Sequence, residues 1–207
     1  MHVHVRDADG RETLAPEALA CVLTSWRARC PDVAIGVTTG IWIAPDPKER
    51  SRLVAAWRGP AAPDFASVNL HEEGALELAQ QLQAQGIGVE AGLAHAAAAE
   101  RWLTHPAPDS ALRILLEPAA DTIEQALVQV ADMEAVLQGI PRHVPRLLHG
   151  HDATAWALLR LAAERGYDAR IGFEDVLTLP DGAPAESNAQ LVRAALDILQ
   201  ATAPSAR

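Results

Sequence analysis

Two histidines one residue apart, in the run His2-Val3-His4-Val5-Arg6-Asp7, are the most chemically specific feature of the chain. In an extended strand, residues i and i+2 face the same side, so the two imidazoles stand next to each other. Two neutral imidazoles and one carboxylate leave an open position on zinc, the arrangement a catalytic metal centre needs. The pair also ends a strand candidate at the loop face, where barrel enzymes gather their chemistry. That placement sets it apart from two unrelated surface histidines beside a terminus.

The carboxylate has a candidate source in Arg170-Ile171-Gly172-Phe173-Glu174-Asp175, which ends the last strand candidate. One acid there suits a third zinc ligand, and an Asp paired with Arg suits a base. A salt-bridged, solvated strand end is the other reading. Polar residues also end the strands between: Thr38, Thr39 and Gly40; Ser67 and Asn69; Glu90; Glu117; His149. Singly, Thr38 fits a β-branched strand residue, Asn69 a turn former and Glu117 an exposed acid before Pro118. Their recurrence at successive strand ends points to one face. His149 and His151, flanking Gly150, suit polar lining, metal ligation or a structural role equally. Ser187-Asn188 reads as the N-cap of the last helix. Trp26, Trp57, Trp102 and Trp156 fall in helix candidates and fit packing, whereas Trp42, after the Thr-Thr-Gly turn, fits a substrate wall.

The elements that must position these residues alternate. Short β-type runs are expected at 3–5, 33–37, 65–70, 88–91, 112–116, 146–148 and 169–173. Ala/Leu-rich runs at helical spacing separate them at 16–29, 47–58, 74–85, 94–103, 122–137, 153–165 and 187–200. Pro16 and Pro47 open helices, and Gly86 and Gly166 close them. Alternating strands and helices mean a parallel sheet. A full eight-stranded barrel takes about 250 residues. The expectation is therefore an α/β fold: a TIM-type (β/α) barrel, N-terminally truncated to about seven β/α units and forming one domain over residues 1–207.

Composition narrows the function. The 207 residues are 49% hydrophobic and 21% charged, enough for one sizeable core. A formal charge of −10 argues against a nucleic-acid partner, which needs clustered Lys and Arg. Cys21 and Cys30 are too few for a disulfide framework and fit a reducing cytoplasm. No apolar run approaches the roughly 18 residues of a membrane span, and no signal-peptide core opens the chain, so no membrane association is expected.

These motifs together resemble the β-keto acid cleavage enzymes, such as 3-keto-5-aminohexanoate cleavage enzyme. The resemblance is carried by His-Val-His-Val-Arg-Asp-Ala-Asp-Gly-Arg at 2–11, Val-Thr-Thr-Gly at 37–40, Ala-Ser-Val-Asn-Leu at 66–70, Arg-Ile-Gly-Phe-Glu-Asp at 170–175 and Ser-Asn-Ala-Gln-Leu-Val at 187–192. It implies a TIM barrel with zinc held by His2, His4 and Glu174, exchanging acyl groups between a β-keto acid and acetyl-CoA to give acetoacetate and a CoA thioester. It implies that Arg170 and Asp175 act as a dyad on the substrate, with Glu90 as a further catalytic acid. Thr38 and Ser67 would hold substrate oxygens, with Thr39, Gly40 and Asn69 beside them in the substrate-binding set. It also implies a homo-oligomer. The family's first strand and helix, which carry a further acid, have no counterpart before His2. Two alternatives remain at this stage: an amidohydrolase-like metal-dependent hydrolase, and a zinc-binding oligomeric remnant without turnover.

Overall fold

Seven short strands and seven helices alternate along the residues that the computed structural model describes, 1–141 and 143–202. They are β1 (His2–Val3), α1 (Pro16–Arg29), β2 (Gly36–Thr38), α2 (Pro47–Ala55), β3 (Phe65–Asn69), α3 (Ala75–Ala84), β4 (Gly88–Leu93), α4 (Ala96–Leu103), β5 (Arg113–Leu116), α5 (Ile123–Val136), β6 (Arg146–Leu148), α6 (Ala155–Arg165), β7 (Asp168–Ala169) and α7 (Asn188–Thr202). Two compact units are made from them: Met1–Gly92 with Thr104–Leu112, and Leu93–Leu103 with Arg113 onward.

In the first unit β1 pairs with β2, β2 with β3 and β3 with β4, all parallel. A parallel sheet covered by helices buries both strand faces, which is why β3 reads as a nearly continuous apolar run. Phe65, Ala66 and Val68 of β3 are at most 2% exposed, as are Val37 of β2 and Val89 of β4. Each such side chain contributes about 1.5–3 kcal/mol by leaving water, less for alanine. Helix α1 opens at Pro16, whose fixed φ suits the first turn, and Asp46 caps α2 by accepting from Lys48 N at 2.9 Å. In the second unit β5 pairs with β6 and β6 with β7, again parallel. There Trp156 and Leu159 of α6 pack with Val176 and with Leu191 and Ala195 of α7. No described helix is long and apolar enough to cross a membrane.

Gly86 and Gly166 follow α3 and α6 with φ of +77° and +68°, as their place in the sequence requires. Ser187 caps α7, its hydroxyl accepting from Gln190 N at 3.2 Å. Strand ends shift by one or two residues in β3, β4 and β5, and three strands depart further from expectation. β1 stops at Val3 because the chain turns into a loop closed by the antiparallel bridge between Arg6 and Glu12. β2 begins only at Gly36; Val33 is 42% exposed and buries nothing that would hold an extended run. β7 ends at Ala169, and residues 170–175 form a turn in which Asp175 N and Val176 N both donate to Gly172 O. Trp57 lies beyond the end of α2, but it is buried as expected and donates to Leu14 O at 3.0 Å.

A buried ion pair ties α2 to the loop after β3. Arg50 Nη1 meets Glu72 Oε2 at 2.7 Å with both side chains nearly inaccessible, and Arg50 Nη2 donates to Glu73 O. Glu72 Oε1 also accepts from Asn69 Nδ2 at 2.9 Å. Removing one member leaves a buried charge uncompensated, so Glu72→Ala is expected to destabilise the protein by about 3–5 kcal/mol. Urea denaturation checks this. In Arg50→Met/Glu72→Met, which removes both charges, the loss should be much smaller.

Candidate functional site

Parallel register lines up the polar strand ends of the first unit. Thr38 pairs with Ser67, and Ser67 with Glu90, so the three side chains stand in one row on one face of the sheet. All three are buried, Glu90 completely. His2 pairs with Gly36, two residues before Thr38. Thr39 faces the other way, its hydroxyl donating to Ser67 O at 2.7 Å, while Thr38 Oγ1 accepts from Gly40 N at 3.2 Å. Asn69 sits one turn of the pleat beyond Ser67 with its amide on Glu72.

His2 and His4 are half-buried, with ring centroids 5.2 Å apart. His4 is braced. Its Nδ1 lies 3.0 Å from Glu12 Oε2, the same oxygen that accepts from Trp42 Nε1 at 2.7 Å. Burial disfavours the charge on Glu12, but the hydrogen bonds from Trp42 and His4 and the fields of His4 and Arg6 outweigh it, holding the carboxyl below its ordinary range. An ionised Glu12 can only accept, so a neutral His4 in this contact would carry its proton on Nδ1 and its lone pair on Nε2. This carboxylate–histidine pairing is the orientation a metal-binding imidazole needs. The Trp42 ring stacks on His4 at 6.2 Å and 15°. It also lies so close over Gly40 that a Cβ there would strike the indole.

In the second unit the turn 170–175 faces the loop after β6. Arg170 Nη2 lies 3.8 Å from Asp175 Oδ1 and 3.9 Å from Glu174 Oε1. Asp175 is buried, and the side chain of Glu174 is 41% exposed. His149 is completely buried between two acids, with Nδ1 3.3 Å from Asp175 Oδ1 and Nε2 3.4 Å from Glu117 Oε2. His151 Nε2 meets the other Glu117 oxygen at 2.6 Å. Burial lowers the basicity of His149, but the carboxylates of Asp175 and Glu117 more than reverse this and raise it. Burial acts on Glu117 in the opposite sense to His149, His151 and Arg170, which prevail and hold its carboxyl far below the usual range.

The loop that carries the histidines is tightly built. His151 N donates to Thr154 Oγ1 at 3.1 Å, the Thr154 hydroxyl donates to His151 O at 2.8 Å, and Asp152 N donates to Asp175 O at 2.7 Å. Asp152 adopts a φ of +47°, uncommon for a residue with a side chain.

Glu12 was not singled out by sequence reasoning, and Glu117 was named only as one of the polar strand ends, with no partner. The signal for Glu12 was the turn-forming Asp7-Ala8-Asp9-Gly10, in which Asp7 Oδ1 accepts from Asp9 N and Arg11 N at 2.9 Å and brings residue 12 back to His4. The end of the β5 run marks Glu117 as polar lining, but no local signal pairs it with His151, 34 residues away.

A family model described as beta-keto acid cleavage enzyme matches residues 1–204. Among solved structures, the binary complex of ObcA with oxaloacetate aligns at 15% identity and a TM-score of 0.69, covering 98% of this chain and 60% of that one. Apo ObcA aligns at 16% identity and a TM-score of 0.73, covering 98% and 58%. A type I 3-dehydroquinate dehydratase from Clostridium difficile aligns at 12% identity and 0.59, covering 91% and 77%. The chain thus spans about 60% of the length of the ObcA chains it matches. No curated protein sequence matches it. At these identities the likeness is one of fold: α/β with parallel strands, consistent with part of a TIM-type barrel.

The brace on His4 has a spectroscopic consequence. In the metal-free protein, nitrogen-15 NMR of the His4 ring should show the proton on Nδ1. In Glu12→Ala the ring should shift toward the Nε2-protonated form that unbraced imidazoles prefer. A spectrum unchanged by Glu12→Ala would show that the contact does not set the tautomer.

Proposed function

We infer the chemistry from one premise: the chain belongs to the beta-keto acid cleavage enzyme family. We propose that it cleaves a β-keto acid by exchanging acyl groups with acetyl-CoA. In the balanced reaction, R–CO–CH2–COO− and acetyl-CoA give acetoacetate and R–CO–S–CoA; the bond between the keto carbon and its CH2 breaks, and the acetyl group takes the place of R–CO. The observation that carries this reading is the family match over residues 1–204. The oxaloacetate complex of ObcA supports a keto acid as the substrate class, since oxaloacetate has a keto group β to one of its carboxylates.

His2, His4 and Glu174 are the proposed zinc ligands. Their chemistry fits the ion: two imidazoles and a carboxylate are a catalytic zinc set, and the Glu12 carboxylate 3.0 Å from His4 Nδ1 would favour the tautomer whose lone pair is on Nε2. Zinc held by these residues would supply Lewis-acid polarisation of the keto oxygen. Asp175, with the Arg170 guanidinium 3.8 Å away, serves as the base that moves protons at the substrate carbon between the keto and carboxylate groups. Arg170 orients that carboxylate and offers its charge to the substrate. Thr38 and Ser67, level with each other, donate to substrate oxygens, and Glu90 in the same row handles a further proton. Thr39 and Gly40 shape the turn beside them, and Asn69 extends the substrate-facing row. The protein acts in the cytoplasm as a homo-oligomer, a state supported by Ile123, Leu127 and Val128 of α5, which are 39–61% exposed.

Two assays test this. Elemental analysis after dialysis should find that His4→Ala and Glu174→Ala each lower bound zinc by one ion per chain with secondary structure intact. Purified protein should form a new CoA thioester and acetoacetate only when both a β-keto acid and acetyl-CoA are present. Asp175→Asn should cut kcat about 10²–10⁴-fold while keeping that zinc. Cleavage that proceeds without acetyl-CoA would replace the acyl exchange with a hydrolytic reaction.

A further inference from the structure

His149-Gly150-His151 repeats, at the end of β6, the spacing of His2-Val3-His4 at β1, and it too has a glutamate against it. We propose that Glu117, His149 and His151 form an additional binding site for zinc or a similar divalent cation, wholly within the second unit.

One ligand atom from each of the three residues lies within 4.8 Å of the others. The 3.4 Å between His149 Nε2 and Glu117 Oε2 matches the separation of about 3.3–3.4 Å between two ligands held at 2.0–2.1 Å on a tetrahedral ion. His149 is the strongest witness. It is completely buried, both ring nitrogens lie near carboxylates, and neither makes a hydrogen bond of acceptable geometry among the described residues. Buried nitrogens in that state are costly, and a cation between Nε2 and Glu117 would satisfy one of them. The other, Nδ1, faces Asp175 Oδ1 at 3.3 Å, the carboxylate placement that supports a metal-binding histidine from behind.

His151 Nε2, 2.6 Å from Glu117 Oε1, becomes the third ligand when the proton the pair shares is displaced by the ion. The side chains of His151 and Glu117 are 41% and 28% exposed, which gives an ion its way in. The framework is fixed: a Cβ at Gly150 would collide with Thr154 Oγ1, whose hydrogen bonds hold His151. Two imidazole nitrogens and one carboxylate favour zinc over magnesium or calcium, which take oxygen ligands, and they leave a fourth position for water. An ion here would also pin His149, and through it Asp175.

The test is a zinc titration of chelator-stripped full-length protein by equilibrium dialysis with elemental analysis, repeated with cobalt(II) to read its d–d absorption. His4→Ala, which disables the site assigned from the family, should still bind one zinc per chain and give the intense visible bands of a four-coordinate cobalt ion. Adding His151→Ala or the near-isosteric Glu117→Gln should weaken that binding at least about 100-fold, with far-UV circular dichroism unchanged. If His4→Ala binds no zinc, or binds one that neither substitution weakens, the proposal is overturned and the cluster is a hydrogen-bonded brace. If instead His151→Ala and Glu117→Gln strip all the zinc from otherwise wild-type protein, the additional site stands and the family-derived ligand set fails.

Discussion

Parallel pairing is the constraint on which each candidate residue depends. Parallel neighbours must be joined by a crossover that returns the chain to the same starting edge, so every strand in a unit ends on the same side. In the first unit this sets Thr38, Ser67 and Glu90 at one level, although 29 and 23 residues separate them. In the second it delivers the residues after β5, β6 and β7 to one edge, where Glu117, His149 and the 170–175 turn meet. The helices bury the strand faces and leave these ends as the place where polar side chains can be gathered at little cost to the core.

Charge at these ends is tolerated because it is matched. Arg50 and Glu72 neutralise each other in a nearly inaccessible position and also hold Asn69. His149 stands between Glu117 and Asp175, with Arg170 beside Asp175. A buried ion pair is weak evidence for stability, since desolvation offsets much of the attraction. What such pairs supply is orientation. His4 is turned by Glu12, and a ring whose tautomer and angle are set by a carboxylate behind it is ready to bind on its other side.

How much of this was legible in advance divides along the range of the interactions. Element types and order followed from periodicity, and Pro16, Pro47, Gly86 and Gly166 marked helix ends by rules that act over a few residues. Strand ends were less well marked: the apolar residues of 169–173 read as a strand, yet β7 stops at Ala169 because the residues beyond it fold into a turn on Gly172 O, with Phe173 N on Asn188 Oδ1. A local apolar pattern cannot distinguish a pairing strand from a turn whose hydrogen bonds come from elsewhere.

By itself the sequence determined the alternation of strands and helices, the polar strand ends and the family, because periodicity, turn chemistry and motif spacing are local properties. Tertiary structure alone decided which of those polar groups touch. The brace of Glu12 on His4 needs the 6–12 loop to close, and the contact of Glu117 with His149 and His151 needs β5 and β6 to pair in the register that sets Leu116 against Leu148. Such contacts arise when distant segments pack, and a one-dimensional pattern does not encode the register that brings them within a few ångströms.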